Sequence, residues 1–366
     1  MAERSKRRQW AAAAAQSEQD RSHLLAHLSA ELDGWAAAEH RRLQPLQSLV
    51  WRALRTLATG AQRLWPSAHV QLFGSWASGL QLASSDVDLL VCGVPTEEQP
   101  HLLLRALAAH LSDQAWLVSI QLIETARVPL IKAAMELPAD VAERCGLDGP
   151  LQLDISLEGS GHSGVASTSL TRDVFCAHLH GLQTLVLVLK ELLSSRNLNN
   201  AATGGLSSYA LVLMAASLLQ QQAGLTSVTR GIGHTLVRFL EYFSALPETP
   251  DALHAVVLDS ALRLQPKRVR RGKLLESTSS TGHQDDTDAE YEASVYGSSL
   301  LVQDPLSHKF SNVSGTAFRW SLVQNCFREA LQRLHNALQR SSDGGGEGLL
   351  LAALLEDAPL TVPPSK

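Results

Sequence analysis

Positive charge, paired cysteines and long apolar runs are all scarce in this 366-residue sequence. Only 18% of its residues are charged and the formal net charge is −5, so the chain lacks the global basic field that holds nucleic acid unaided. Its four cysteines occur singly, without a C-x-x-C pair, which argues against a zinc knuckle or a disulfide framework. No run reaches the roughly 18 apolar residues of a membrane span, and no membrane partner is expected.

What the sequence does contain is enough apolar material for two cores, since 45% of its residues are hydrophobic. Two helices are predicted at about residues 20–41 and 45–65, and alternating segments typical of strands follow between residues 70 and 157. Longer segments with helical periodicity dominate from residue 169 onward. This order predicts an α+β protein, with a mixed sheet and its helices first and an all-helical domain second.

Two aspartates stand close together in an apolar strand. The segment from Val70 to Val91 reads as a strand, a Gly-Ser turn, a polar loop and a second strand with Asp86 and Asp88. Alternate residues of a strand point the same way, about 6.6 Å apart, so two carboxylates face one point and repel each other unless a divalent cation compensates. The alternative is an exposed, solvated Asp-x-Asp at the end of an edge strand.

The residues around this pair favour a phosphate ligand. Gly74 allows close approach of the backbone, and Ser75 and Ser85 supply hydroxyl and N–H donors of the kind a triphosphate needs. A third acid is predicted on a neighbouring strand, LQLDISL, where Asp154 is the only acid on the polar face.

A Gly-Ser turn, Asp-x-Asp and a strand-borne aspartate resemble the nucleotidyltransferase fold of the DNA polymerase beta superfamily. The resemblance implies that Asp86, Asp88 and Asp154 are catalytic residues and hold two Mg²⁺ (or Mn²⁺) ions about 3.5 to 4 Å apart. It does not name the substrate, because antibiotic adenylyltransferases, CCA-adding enzymes, oligoadenylate synthetases and RNA tailing enzymes share these motifs.

The run LVLVLKELLSSRNLNNAATGGLSSYALVLM, residues 185–214, resembles the central domain of terminal RNA nucleotidyltransferases, especially poly(A) polymerases of the DNA polymerase sigma type. The resemblance implies that Lys190, Ser207 and Ser208 bind the triphosphate and that Tyr209 stacks on the incoming base. These roles suit a flexible point charge, a helix N-terminus and an aromatic face. An ordinary core aromatic is the alternative for Tyr209.

A third segment, residues 304–320, resembles the nucleotide recognition motif of the same family, and places Asn312 either at the base edge or in the ordering of its loop. The family's glycine-arginine-serine-serine is replaced here by residues 314–317. Ser167 stands where the family commonly has an asparagine near the ribose. His162, in a Gly/Ser loop, is expected to be solvated rather than catalytic.

The predicted domain organisation has five parts. A flexible basic tail covers residues 1–19, and the catalytic domain covers 45–160. The helical domain combines 20–44 with 161–340 and includes a disordered basic-acidic insertion at 266–294. A flexible tail covers 341–366. The basic residues near the N-terminus favour a solvated tail over a nuclear import signal, although the nucleus is the expected compartment and the cytoplasm the alternative.

The expected function is template-independent addition of AMP from ATP to RNA 3′ ends. A terminal uridylyltransferase that uses UTP, and a catalytically silent scaffold for RNA decay, remain as alternatives; adenylylation of a small molecule is disfavoured by GGLSSYAL. Because no RNA-binding module is visible in the sequence, an RNA-binding or helicase partner is expected.

Overall fold

The computed structural model describes residues 2–95, 97–126, 128–159, 162–222, 231–245, 252–270, 299–307, 311–342 and 350–356. The chain divides into two compact units: the sheet unit, residues 37–183, and the helical unit, residues 1–36 and 184–366. Strands and helices occur in both, and the predicted α+β class is confirmed. Of the helices within the described ranges, none is long and apolar enough to cross a bilayer. The predicted boundaries at 44/45 and 160/161 differ from those of the units.

The first helix, α1 (Ala2–Leu64), continues through Pro45. The sequence instead predicted a flexible tail followed by two helices that meet near this proline. Proline costs about 3 kcal/mol inside a helix because it removes an N–H and crowds the preceding turn. Here the neighbouring Leu46 is fully buried, and Cys145 Sγ donates a hydrogen bond to the Arg42 carbonyl at 3.2 Å. Packing of the apolar stripe therefore keeps the helix intact.

The described residues of the sheet unit form five strands with short connecting helices. In chain order these are β1 (His69–Phe73), α2 (Gly74–Ser78), β2 (Val87–Cys92), α3 (Pro100–Ser112), β3 (Leu117–Ile123), β4 (Leu130–Met135), α4 (Ala139–Cys145), β5 (Leu151–Leu157), α5 (Gly164–Ser169) and a π-helical segment, Leu170–Cys176. The strand order is β1-β2-β5-β4-β3. Only β2 and β5 are parallel; the other neighbours are antiparallel.

One face of this sheet is covered by α1 and α3. Their leucines form a core with alternate strand residues, among them Leu89 of β2, Ile131 of β4 and Ile155 of β5. Since side chains alternate along a strand, the residues between them project from the opposite face. The core therefore determines which face is left for chemistry.

The helical unit contains a second sheet, so the prediction of an all-helical domain is wrong. Its further elements are α6 (Leu182–Ser194), a 3₁₀ turn (Ala201–Thr203), α7 (Ser208–Gln222), α8 (Ile232–Ser244), β6 (Ala252–Leu258), β7 (Leu264–Arg270), β8 (Leu300–Val302), α9 (Trp320–Ser342) and α10 (Leu350–Leu355). The three strands lie in the order β7-β6-β8. Short apolar runs such as ALHAVVL do not distinguish a strand from a buried helical turn by periodicity alone.

Two predicted irregular segments are partly ordered. β7 includes residues 266–270 of the predicted disordered insertion, while residues 271–298 lie outside the described part of the chain. In the predicted C-terminal tail, the N–H groups of Leu350 and Leu351 donate to the Glu31 carboxylate, and Arg333 donates to the carbonyls of Ala353 and Leu354. Both ends of α10 are thus capped by side chains distant in sequence, which no local pattern encodes. Residues 357–366 lie outside the described ranges.

Candidate functional site

A row of side chains crosses four strands of the sheet unit. Strand register places Phe73 beside Asp88, Asp88 beside Asp154, and Asp154 beside Lys132. All four positions alternate with core residues, so they lie on the face opposite α1 and α3. The parallel β2–β5 pairing therefore makes Asp88, rather than Asp86, the sheet neighbour of Asp154.

Asp86 joins this row through a lysine. The sequence predicted that Asp86 lies within the second strand. In the structure β2 begins at Val87, so Asp86 lies one residue before the strand. The Lys132 ammonium lies 3.2 Å from Asp86 Oδ2 and 2.9 Å from Asp154 Oδ1. A single positive charge therefore links two of the three acids.

Burial and charge shift the pKa values of these groups. Burial raises the pKa of the Asp154 carboxyl; Lys132 opposes this rise and the negative charge of Asp86 adds to it. Burial acts to lower the pKa of Lys132, but Asp154 and Asp86 outweigh burial, and its pKa is raised. The lysine thus stays protonated between two carboxylates.

Lys132 was not among the site residues predicted from the sequence. Its signal was present, since a lysine occurs in the otherwise apolar strand LIKAAM, with its neighbours Ile131 and Ala133 buried. A charged residue at such a position is seldom buried without a partner. The partner could not be named before the pairing of β4 with β5 was known.

The turn at Gly74 brings the backbone against the acids. Gly74 has φ +69°, and a Cβ atom added there would overlap the Asp88 carboxylate. Its N–H donates to Thr168 Oγ1 at 2.8 Å, and its carbonyl accepts from Ser78 Oγ at 3.0 Å. The group that this glycine lets approach in the structure is the Asp88 carboxylate; the predicted approach of its backbone to a phosphate ligand stays a prediction.

Two predicted phosphate-binding serines flank this turn. Ser75 is half-buried in α2 and follows Gly74 directly. Ser85 orders the loop before Asp86: its hydroxyl accepts from the Leu82 N–H at 2.9 Å, and its carbonyl accepts from Trp76 Nε1 at 3.2 Å. Their contact with phosphate remains a prediction.

His162 is not the solvated loop residue that the sequence suggested. Its ring is half-buried, lies edge-on to Phe73 at 4.9 Å between centroids, and places Nε2 3.1 Å from Ser156 Oγ. Burial lowers the pKa of His162. Ser167, at the predicted ribose position, donates to the Gly164 carbonyl at 3.0 Å. Both side chains stabilise the segment that follows β5.

A cavity of about 580 Å³ also opens in the sheet unit. It is lined by α1, β1, α2 and α5, and it shares Thr168 with the Gly74 turn. The three acids are not among its lining residues. This cavity is therefore distinct from the row of acids.

In the helical unit, the predicted serines form the beginning of α7. Ser207 precedes the helix, and its hydroxyl accepts a hydrogen bond from the Ala210 N–H at 3.2 Å. This is the usual geometry of a serine N-cap. Ser208 is the first helical residue, at an end whose backbone N–H groups favour anions.

Tyr209 follows on the same helix and is partly buried. Its hydroxyl donates to Asp304 Oδ1 at 3.0 Å, which fixes the ring orientation. Burial, then the Asp304 charge, raises the pKa of Tyr209, so the phenol stays neutral. Lys190, on α6, is only 4% exposed. The roles of both in nucleotide binding remain predictions.

Asn312 orders its own loop. Its side-chain oxygen accepts from the N–H groups of Val302 and Ser314 and from Ser314 Oγ, at 2.7–3.0 Å. Its amide nitrogen donates to the Leu300 carbonyl at 3.3 Å. Of the two roles predicted, loop ordering is the one that these contacts support.

Asn312→Ala is expected to lower the free energy of unfolding by about 1–3 kcal/mol, because buried backbone groups lose their partner. Urea denaturation of the purified chain measures this change. Asn336→Ala, at an exposed position on α9, is the matched control and should stay near the wild-type value. An unchanged stability for Asn312→Ala, combined with altered nucleotide preference, would favour base recognition instead.

Comparison with known proteins agrees with this geometry. Residues 39–171 match the family model "Poly(A) RNA polymerase, mitochondrial-like, central palm domain". The chain is 28% identical over 196 residues to Poly(A) RNA polymerase protein 2 of Saccharomyces cerevisiae, covering 52% of this chain and 31% of that protein. It is 35% identical over 199 residues to an inactive poly(A) RNA polymerase protein, Trf4-2, of Drosophila melanogaster, covering 52% and 44%. The matched part is thus less than half of either relative.

Solved structures share the fold. The polymerase core of TRAMP, an RNA surveillance complex, superimposes with a TM-score of 0.64 at 20% identity, covering 85% of this chain and 88% of that one. Cid1, an RNA terminal uridylyl transferase, superimposes with a TM-score of 0.55 at 19% identity, covering 87% and 94%. The chain thus shares the fold of these two solved structures, and its residues 39–171 are similar to the central palm domain of mitochondrial-like poly(A) RNA polymerases.

Proposed function

We propose that the chain transfers nucleoside monophosphates to RNA 3′ ends without a template, with AMP from ATP as the preferred unit. The observation that carries this proposal is the register pairing of Asp88 with Asp154 beside the Gly74 turn, with Asp86 linked to Asp154 through Lys132. Similarity to poly(A) RNA polymerases over half of the chain supports the choice of ATP.

The three aspartates would hold divalent ions, for which Mg²⁺ and Mn²⁺ are the candidates. Carboxylate oxygens are the ligands that these ions prefer, and a Cid1 structure bound to MgATP has the same fold. Within the described ranges, no three His, Cys, Asp or Glu side chains converge closely enough to hold an ion in the present arrangement. When bound, two ions would lower the pKa of the RNA 3′-hydroxyl and neutralise charge on the triphosphate.

The chain's own residues would divide the remaining tasks. Asp154 accepts the proton of the attacking 3′-hydroxyl, a role that its raised pKa suits. The 3′-oxygen bonds to the α-phosphorus of the triphosphate as the bond to the leaving pyrophosphate breaks. The N-terminus of α7, with Ser207 and Ser208, binds phosphate oxygens, and Lys190 adds positive charge. Tyr209, oriented by Asp304, stacks on the incoming base at a gain of roughly 1–3 kcal/mol.

Two other functions have specific support. The likeness to Cid1 favours a uridylyltransferase, with the same chemistry and UTP as donor. The 35% identity with the inactive Trf4-2 protein favours a silent scaffold in RNA decay. The scaffold is the weaker candidate because all three acids and the Gly74 turn are present in this chain.

The decisive experiment is extension of an end-labelled oligoribonucleotide by the purified full chain with Mg²⁺ and each nucleoside triphosphate separately. We expect a ladder with ATP and none with the Asp86→Ala variant, which loses one ligand oxygen pair but keeps the fold. A ladder with UTP alone would move the chain to the uridylyltransferases. Substantial extension by Asp86→Ala would refute the assignment of the acids.

If no extension products appear with any nucleotide, two interpretations are open, and a measurement of nucleotide binding distinguishes them. If the folded chain binds ATP with Mg²⁺ but does not extend RNA, we propose that it requires an RNA-binding or helicase partner, as its net charge of −5 suggests. If it binds neither ATP nor metal, the silent scaffold becomes the better description. Calorimetric titration with ATP distinguishes the two.

A further inference from the structure

Lys132 lies between Asp86 and Asp154, two of the carboxylates proposed as metal ligands. We infer that its ammonium is a charge placeholder, which holds Asp86 and Asp154 together while no divalent ion is bound and leaves at least one of them when an ion binds. The inference rests on the proposed function, since it takes these carboxylates to be the metal ligands.

The contacts favour competition with a metal ion rather than an ordinary ion pair. One carboxylate is enough to neutralise a lysine, yet Lys132 Nζ contacts Asp86 Oδ2 at 3.2 Å and Asp154 Oδ1 at 2.9 Å. These two oxygens belong to the donor set predicted for the ion. An oxygen in contact with an ammonium cannot coordinate a metal in the same direction, so the two cations exclude each other.

The lysine has room to leave. Its side chain is 40% exposed, compared with 38% for Asp86 and 22% for Asp154. A lysine carries its charge on a flexible four-carbon stem, so the ammonium can move toward solvent without movement of β4. The backbone of Lys132 stays fixed by its register with Asp154.

The spacing of the acids agrees with a metal-free state in which Lys132 holds Asp86 and Asp154. Although strand register brings Asp88 and Asp154 together, no three acids among the described residues meet at one point. With the ammonium between Asp86 and Asp154, their carboxylates have no need to approach further. Closure around an ion would follow the departure of the lysine.

Lys132→Met removes the charge and keeps much of the side-chain length. We expect the nucleotide-free full chain with this change to bind Mn²⁺ with a Kd about tenfold lower than the wild type, because the ion no longer displaces or faces an ammonium. Electron paramagnetic resonance of free Mn²⁺ gives the Kd directly. The variant should also have a lower Tm than the wild type without metal, and Mn²⁺ should raise its Tm by a larger amount.

Two variants serve as controls. Lys132→Arg keeps the positive charge and is expected to bind Mn²⁺ no more tightly than the wild type. Arg105→Met breaks a two-contact ion pair with Glu124 in the same unit, between α3 and the residue after β3, and should leave the Mn²⁺ Kd unchanged.

A purely structural lysine would give a different pattern: Lys132→Met would lower the Tm and leave the Kd for Mn²⁺ as it is. That result, or weaker Mn²⁺ binding by the variant, overturns the placeholder role, while ATP-dependent extension by the wild type would still support the proposed function. Absence of Mn²⁺ binding by the nucleotide-free wild type and variant alike would also overturn the placeholder role, and the extension assay with ATP would then decide the proposed function separately.

Discussion

Asp154→Asn should lower the rate of nucleotide addition by about a thousandfold or more. Asparagine keeps the size of the side chain on β5, but it removes the negative charge proposed to attract a metal ion and the carboxylate proposed to accept a proton. Asp154 pairs in register with both Asp88 and Lys132, so the substitution removes a negative charge between these two side chains.

The rate is measured as single-nucleotide extension of labelled RNA at saturating ATP, so that a change in nucleotide affinity does not conceal it. Asp148→Asn is the matched control, because Asp148 is an exposed aspartate of the same unit outside β5. It should retain the wild-type rate. Both variants should keep a Tm within a few degrees of the wild type.

A rate for Asp154→Asn within about tenfold of the wild type would contradict the assignment of this carboxylate. It would mean that Asp86 and Asp88 alone support the chemistry. A large loss of Tm in the variant would mean instead that its ion pair with Lys132 stabilises the fold, and the rate would then be compared at a temperature where both proteins are folded.

The row of acids was predictable because it depends on alternation. In LQLDISL the apolar residues identify the buried face, so Asp154 had to lie on the other face, and the same argument applies to Asp88 between Val87 and Leu89. A periodicity of two carries this information without any knowledge of tertiary structure. The sequence predicted only that the two strands are neighbours, and their parallel pairing comes from the structure.

Lys132, the lysine in this row, was harder to predict from the sequence than the acids. Alternation places Lys132 on the polar face of β4 just as clearly, but its significance comes from the strand order β2-β5-β4. Strand order is a non-local property that one sequence does not encode in any short pattern. The same limit explains the caps of α10, where Glu31 and a helix end lie more than 300 positions apart.

Local rules also failed where tertiary packing outweighs them. Pro45 is a helix breaker by propensity, yet the buried leucines around it continue one helical stripe, and the burial of each is worth roughly 1.5–3 kcal/mol. Asn312 is another case, because the motif resemblance left both a base contact and loop ordering open. Its amide joins the segments around Leu300 and Ser314, which supports loop ordering.

Gly74→Ala is the second change with a large expected effect, at least about a hundredfold on the rate of nucleotide addition. Two costs combine at this position. A Cβ atom would overlap the Asp88 carboxylate, and φ +69° is a conformation that costs an L-residue about 1–2 kcal/mol. The first cost displaces a predicted metal ligand, and the second lowers stability.

Another glycine separates these costs. Gly79, at the other end of α2, has φ +76°, but a Cβ atom there meets only the flexible end of Gln183 at 3.1 Å and that of His40 at 3.8 Å. Gly79→Ala should therefore lose stability by a similar amount while it retains most of the rate. Gly149→Ala, where nothing lies within 4 Å, should change neither.

The three variants are compared by urea denaturation and by single-nucleotide extension. If Gly74→Ala and Gly79→Ala lose the same stability and only the former loses activity, the overlap with Asp88 is the cause. If both lose activity equally, the strain in α2 is enough to disturb the site, and the position of the Asp88 carboxylate is not the limiting factor. Since Gly74 and Gly79 bound the same five-residue helix, the comparison isolates the carboxylate from the turn that carries it.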